Sequence, residues 1–179
     1  MIDQWPRYEV FKQDQADGPI RNVGSVHAPD AELALMNARN VFARRPACYG
    51  LWVVPAGAIL ARTAEELARE EAAVSDGDGE SVTYAVFSKR SQRQAMTYVD
   101  YVGQVVALSP EEALHAAVAA YNDPPGIVWW VCPEHLINRS DPADAAALGA
   151  ATGKAFRMPN HYHTVFTMQK IRRGEESEA

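Results

Sequence analysis

Tyr8-Glu9-Val10-Phe11, Val23-Gly24-Ser25-Val26 and Leu51-Trp52-Val53-Val54 recur, in the same order, as Tyr84-Ala85-Val86-Phe87, Val102-Gly103-Gln104-Val105 and Val128-Trp129-Trp130-Val131. A helix-like stretch separates the second and third block of each set. The offset is 76 residues from Tyr8 to Tyr84, 79 from Gly24 to Gly103 and 77 from Leu51 to Val128, so the copies differ by small loop insertions. This reads as an α+β chain of two tandem β-β-α-β(-β) units, each a small antiparallel sheet covered by a helix, forming a pseudo-two-fold dimer. A duplicated small domain is most simply a covalent homodimer, and such dimers present a two-fold surface.

The first unit opens with a strand over 7–13, turns through Asp14 to Pro19, and returns over 20–28 as a hairpin. Asp30 caps a helix whose apolar stripe is Ala34, Leu35, Ala38, Val41 and Phe42, and Pro46 stops it. A strand over 50–54 follows, and Pro55-Ala56-Gly57 turns the chain away. The second unit repeats the order, with strands over 84–89 and 98–108. Its helix carries Ala113, Leu114, Ala117, Ala120 and Tyr121 on the stripe, and a third strand covers 127–131. Ser109, Pro110 and Glu112 give that helix a capping-box start, and a late strand over 162–171 closes the unit.

The expected domains are 1–74, a joint over 75–81 built on Ser75-Asp76-Gly77-Asp78-Gly79-Glu80, and 82–179. Ala64 to Val74 reads as a charged helix. Ala143 to Ala151 reads as a short helix capped by Asp141 with Pro142 at its first position, and the charged tail from Arg172 is expected to fray. The third strands are apolar on both faces, which a sheet with one solvated face does not tolerate. The helix covers one face, so the other is expected to meet the sister unit or a partner protein.

The 179 residues, 47% hydrophobic, suffice for one ordinary domain or two small ones. Seventeen basic against 23 acidic residues give a net charge of −6, and no basic stripe answers a phosphate backbone, so nucleic acid is not an expected partner. No apolar window reaches membrane-spanning length and the start lacks a leader pattern, which points to a soluble cytoplasmic protein with no membrane partner. Cys48 and Cys132 are not spaced as a metal pair and read as reduced structural thiols.

No catalytic centre nominates itself. Glu112-Ala113-Leu114-His115 has the Glu-x-x-His spacing of di-iron bundles, but those sites need it twice. The first unit has Leu33 and Met36 at the matching positions, and Glu112 already serves the cap. His161 and His163 share one face of the expected strand without further ligands nearby, and His27 and His135 stand alone. Gly24 and Gly103, single glycines inside strands, mark a bulge or a close backbone approach rather than a phosphate loop. No metal, cofactor or catalytic residue is therefore assigned. The interface candidates are the large amphipathic side chains Tyr49, Trp52, Tyr98, Tyr101, Trp129 and Trp130. Trp52 and Trp129, taken as matching positions, read as core, and Trp130 and Tyr101 as the better interface positions.

The first unit resembles the PaaB family, the small B subunit of the phenylacetyl-CoA epoxidase complex. The resemblance rests on Trp5-Pro6-Arg7-Tyr8-Glu9-Val10-Phe11, Arg21-Asn22-Val23-Gly24-Ser25-Val26-His27-Ala28, Ala34-Leu35-Met36-Asn37-Ala38-Arg39 and Leu51-Trp52-Val53-Val54-Pro55. It covers residues 5 to 66, and Lys154-Ala155-Phe156-Arg157-Met158-Pro159 is similar to the family's C-terminal segment. The second unit has drifted. The resemblance implies a non-catalytic bridging subunit whose partners are a di-iron A subunit and a structural C subunit, with a reductase supplying electrons from NADPH. The reaction it implies is epoxidation of the ring of phenylacetyl-CoA or a related aromatic acyl-CoA. Further self-association is left open. The alternative from another class is a stand-alone two-fold ligand-binding or regulatory module. A third reading, a metal enzyme using His115 or His161 and His163, predicts stoichiometric metal.

Overall fold

The computed structural model describes residues 4–43, 48–69, 80–92, 99–141, 143 and 164–173. Strand β1 (Arg7–Gln13) pairs antiparallel with β2 (Ile20–His27), and helix α1 (Ala31–Phe42) leads to β3 (Gly50–Pro55) on the other side of β1. The same order returns as β5 (Val82–Lys89), β6 (Asp100–Ala107), α3 (Pro110–Tyr121) and β7 (Val128–Pro133). Each third strand runs into a short 3-10 turn, Ala56–Ala58 or Glu134–Leu136, and then a further strand, β4 (Leu60–Thr63) or β8 (Asn138–Arg139). A four-residue helix α2 (Ala64–Leu67) follows β4, and α4 (Thr164–Arg173) is the last element among the described residues.

The expectation of two separate small sheets gives way to one antiparallel sheet of eight strands in the order β4-β7-β5-β6-β2-β1-β3-β8. The order exposes an exchange that local pattern does not encode. β4 leaves the first half and pairs with β7, placing Ala61 opposite Trp130. β8 leaves the second half and pairs with β3, placing Arg139 opposite Trp52. Each half thus completes the outer edge of the other. The central junction is thin by comparison: β2 meets β6 through Arg21 opposite Asp100, with Asn22 N donating to Val99 O at 2.9 Å.

The alternation of side chains explains how this sheet is covered. On β1 and β3, Tyr8, Val10, Leu51 and Val53 face α1 and its buried Ala34 and Ala38. On β5 and β7, Tyr84, Val86, Trp129 and Val131 face α3 and its Ala113, Leu114 and Ala117. The intervening positions, Phe11, Val54, Ala85, Phe87 and Cys132, form a third core drawn from both halves. The second face of each third strand is therefore covered by the other half. With both faces dry, these strands need the continuous apolar runs the sequence carries.

Caps and bulges follow the sequence closely. The Asp30 side chain accepts from Leu33 N at 2.8 Å, and Ser109 Oγ accepts from Glu112 N at 3.2 Å. The Glu112 carboxylate reaches back one residue further than a capping box requires, to Leu108 N at 2.9 Å. A complete capping box sits instead at Thr63 and Glu66. The ladder slips at Val10/Phe11 opposite Gly24 and at Val86/Phe87 opposite Gly103. Both glycines have positive φ, +133° and +155°. A Cβ on Gly24 would stand 3.1 Å from Phe42, and one on Gly103 2.3 Å from the Tyr121 hydroxyl, so both expected roles, bulge and close approach, are present.

Several expectations are corrected. The late strand over 162–171 is helix over 164–173: Val165, Met168 and Ile171 recur every three residues, not two, and Lys170, Arg172 and Arg173 suit a helix C-terminus. Of the charged helix expected over 64–74, Ala64–Leu67 is helical, 68–69 form a turn, and 70–74 lie outside the described residues. Val41 and Ala120, which occupy matching places in their helices, point outward, so each apolar stripe is one position narrower than its spacing suggests. Pro46, most of the joint over 75–81 and the helix expected over 143–151 lie outside the described residues. At the entry to that stretch the Asp141 side chain accepts from Ala143 N at 2.8 Å.

Candidate interaction site between the halves

The ladder realigns the tryptophans. Val10 pairs with Val53, and its counterpart Val86 pairs with Val131. Trp52 therefore corresponds to Trp130, not to Trp129, and Trp129 corresponds to Leu51. Burial agrees: Trp129 and Leu51 are closed off beneath their helices, whereas Trp52 and Trp130 are half-buried at the core shared by the halves. By the same register Cys132 corresponds to Val54 rather than to Pro55.

Around Trp52 the site is filled. Arg139 lays its guanidinium 4.3 Å from the Trp52 ring centroid and pairs with Glu134 at 2.5 Å. Tyr101 meets the same indole edge-on at 5.1 Å, and Phe87 at 5.6 Å. Burial raises the Tyr101 hydroxyl pKa above the ordinary phenol value, Glu134 adds to the rise and Arg139 opposes it.

Trp130 borders a cavity. A cavity of about 480 Å³ is lined by Trp130, Arg7, Glu9, Ser25, Ala56 and Ala61 among others. Glu9 is nearly buried and accepts from Asn22 Nδ2 at 3.2 Å, while Arg7 Nε lies 3.4 Å from its other oxygen. Asn22 is fully buried and its Oδ1 has no partner among the described residues.

The remaining sequence candidates scatter. Tyr49 is exposed beyond the start of β3, its N–H donating to Gln13 O at 2.8 Å. Tyr98, His161 and His163 lie outside the described residues. His115 lines a separate groove beside α2 with Leu67, Val118 and Trp129, away from the aromatic site. Among the described residues no group of three or more His, Cys, Asp or Glu side chains is placed to hold a metal ion. No helix among them is long and apolar enough to cross a membrane. Sequence reasoning missed Glu134 and Arg139. Their signal was their position just after the third strand of the second unit, where the first unit has alanines.

The family match falls on the first half. Residues 4–76 match the family model for phenylacetic acid degradation B, PaaB. This PaaB segment ends beyond α2, so it includes β4, the strand given to the second half. A curated relative, the B subunit of 1,2-phenylacetyl-CoA epoxidase of Escherichia coli (strain K12), is 45% identical over 62 residues. The aligned stretch is 35% of this chain and 65% of that protein, just under two thirds of its length. No solved structure matches the chain.

Proposed function

We propose that this chain is a non-catalytic bridging subunit of a multicomponent di-iron monooxygenase that epoxidises the ring of phenylacetyl-CoA or a related aromatic acyl-CoA. The observation that carries the reading is the PaaB segment over 4–76 with its 45% identical relative, the B subunit of an epoxidase.

The same reading takes the second half as a diverged second PaaB-like unit fused to the first. In support, the two halves share element order, bulge position, positive-φ glycine and turn, and they exchange their fourth strands reciprocally. A covalent dimer of this kind presents two related but unequal surfaces, suited to contacting a catalytic A subunit and a structural C subunit. Residues 1–74 and 82–179 are its units.

Co-expression with the A and C subunits of a phenylacetyl-CoA epoxidase from the same cell tests it. The expected result is one complex on a sizing column containing all three chains. Elution of this chain alone, with A and C associated without it, overturns the reading.

A further inference from the structure

The two halves finish the outward edges of their second strands differently. Ala28 N donates to Pro6 O at 3.1 Å, so the alternate residues Ser25 and His27 turn their N–H and C=O groups away from β1. Gln104 is the counterpart of Ser25, standing opposite Ala85 as Ser25 stands opposite Glu9. There the Tyr121 hydroxyl accepts from Gln104 N at 3.1 Å, donates to Gln104 O at 2.9 Å, and so closes the edge. Phe42 ends α1 as Tyr121 ends α3, and it stands against Gly24 as Tyr121 stands against Gly103, but it carries no hydroxyl. Ser25 N–H, Ser25 C=O and His27 N–H are therefore without a hydrogen-bond partner among the described residues. The opening is short. Asn22 N is bonded to Val99 O at one end, and the Asn37 side chain donates to His27 O at 3.2 Å at the other.

We propose that this edge receives an extended segment of a partner protein as an added β-strand centred on Ser25. An N–H, a C=O and a second N–H at strand spacing are matched by the backbone of another extended chain. Strand edges left in this state are ones that proteins ordinarily blunt, and the Tyr121 hydroxyl does so in the second half alone. The two faces of the edge set the chemistry of the segment. On the face away from α1, Arg7 stands beside His27 in the register, more than half exposed and with guanidinium donors beyond the one near Glu9. A carboxylate on the segment is complementary there. On the helix side the Phe42 ring, which lies over Gly24, offers apolar surface to the neighbouring residue. The segment thus alternates acidic and apolar side chains.

The test uses the full chain and a blocked pentapeptide of alternating valine and glutamate, with valine at both ends, followed by amide resonances and hydrogen exchange. The expected result is a saturable shift of the Ser25 and His27 amides with slowed exchange at both. The same peptide N-methylated at both glutamates, which lacks the donors the edge needs, is expected to bind about tenfold more weakly. A peptide with lysine in place of glutamate is expected to be weaker by about threefold. Phe42→Tyr, which installs the other half's hydroxyl, is expected to weaken binding by about tenfold. If that variant does not fold, the methylated peptide decides. In Tyr121→Phe the Gln104 amide is expected to exchange about tenfold faster, and an unchanged rate overturns the proposal, because the hydroxyl then does not close the edge. Equal binding of the methylated or the lysine peptide, an unmoved Ser25 amide, or full binding by folded Phe42→Tyr also overturns it. So does protection of Ser25 and His27 in the free chain, which would mark an edge filled from within, or protection that grows with protein concentration, which would mark a second copy. No oxygenase subunit takes part, so the outcome is independent of the bridging reading above.

Discussion

Phe11 and Phe87 stack with their ring centroids 4.3 Å apart and their planes 28° from parallel, each on the first strand of its own half. Both are fully buried, and they are corresponding residues. The contact therefore joins matching positions of the two halves within the core they share. Because the central β2 to β6 ladder is so short, this shared core and the exchanged strands hold the halves together.

Phe11→Ala and Phe87→Ala are each expected to destabilise the protein by about 3–5 kcal/mol, the usual cost of removing a buried phenylalanine. Their effects should fall short of additivity by about 1 kcal/mol, since either change already breaks the stack. Urea unfolding followed by fluorescence and circular dichroism measures both quantities. Fully additive losses contradict a direct stack.

Gly103→Ala is expected to be more damaging than Gly24→Ala. Both place a side chain at positive φ, at about 1–3 kcal/mol of strain each. At Gly103 the new Cβ also meets the Tyr121 hydroxyl, which accepts from Gln104 N at 3.1 Å and donates to Gln104 O at 2.9 Å. At Gly24 the neighbour is the ring edge of Phe42, 3.1 Å away, which gives by a small rotation. Thermal melts of the two variants rank them, and equal losses would show that the hydroxyl moves freely.

Burial pushes the Cys132 thiol up to about 12, with Glu134 adding to the rise and Arg139 opposing it. Burial also raises Cys48, where Lys12 opposes the shift. In the unfolded chain these thiols ionise near the ordinary value of about 8.5, so above that pH the unfolded state has released protons that the folded state keeps. Stability must therefore fall as pH rises from roughly 8.5 towards 12, by up to about 1.4 kcal/mol per pH unit for Cys132. Denaturant titrations at stepped alkaline pH measure this slope, and Cys132→Ala should flatten it. Both thiols should also resist alkylation at neutral pH until the protein unfolds.

The boundaries of β1, β2, α1, β5 and α3 were legible because periodicity, caps and turn residues act within a few positions. So were the glycine bulges, since a lone glycine in a strand has few other uses. The fourth strands were not legible. β8 has two residues, and β4 finds its partner about 70 residues away at β7, so neither carries a period of its own. The tryptophan register was misread for a related reason: Leu51-Trp52 and Val128-Trp129 align by letter, while the hydrogen bonds place Trp52 with Trp130. Of the interface candidates, Trp52, Tyr101 and Trp130 border the core shared by the halves, yet the pair packed at Trp52, Glu134 and Arg139, gives only the faint signal of standing just after the third strand where the first half has alanines, and its place at Trp52 follows only once the exchange is known.

The exchange itself makes the last prediction. If β4 and β8 complete each other's halves, the covalent joint over 75–81 is not what holds the molecule together. A protease site placed between Asp76 and Gly79, then cut in the folded protein, should leave two fragments that co-elute at the mass of the intact chain. Their separation would require pulling β4 from β7, β8 from β3, and opening the core around Phe11 and Phe87. Burying those two rings alone contributes about 1.5–3 kcal/mol each. Unfolding and refolding the cut mixture at decreasing concentration should lower its melting temperature, because assembly has become bimolecular, while the uncut chain shows no such dependence. Fragments that drift apart under native conditions would show that the halves fold as separate units and that the strand exchange contributes little to their union.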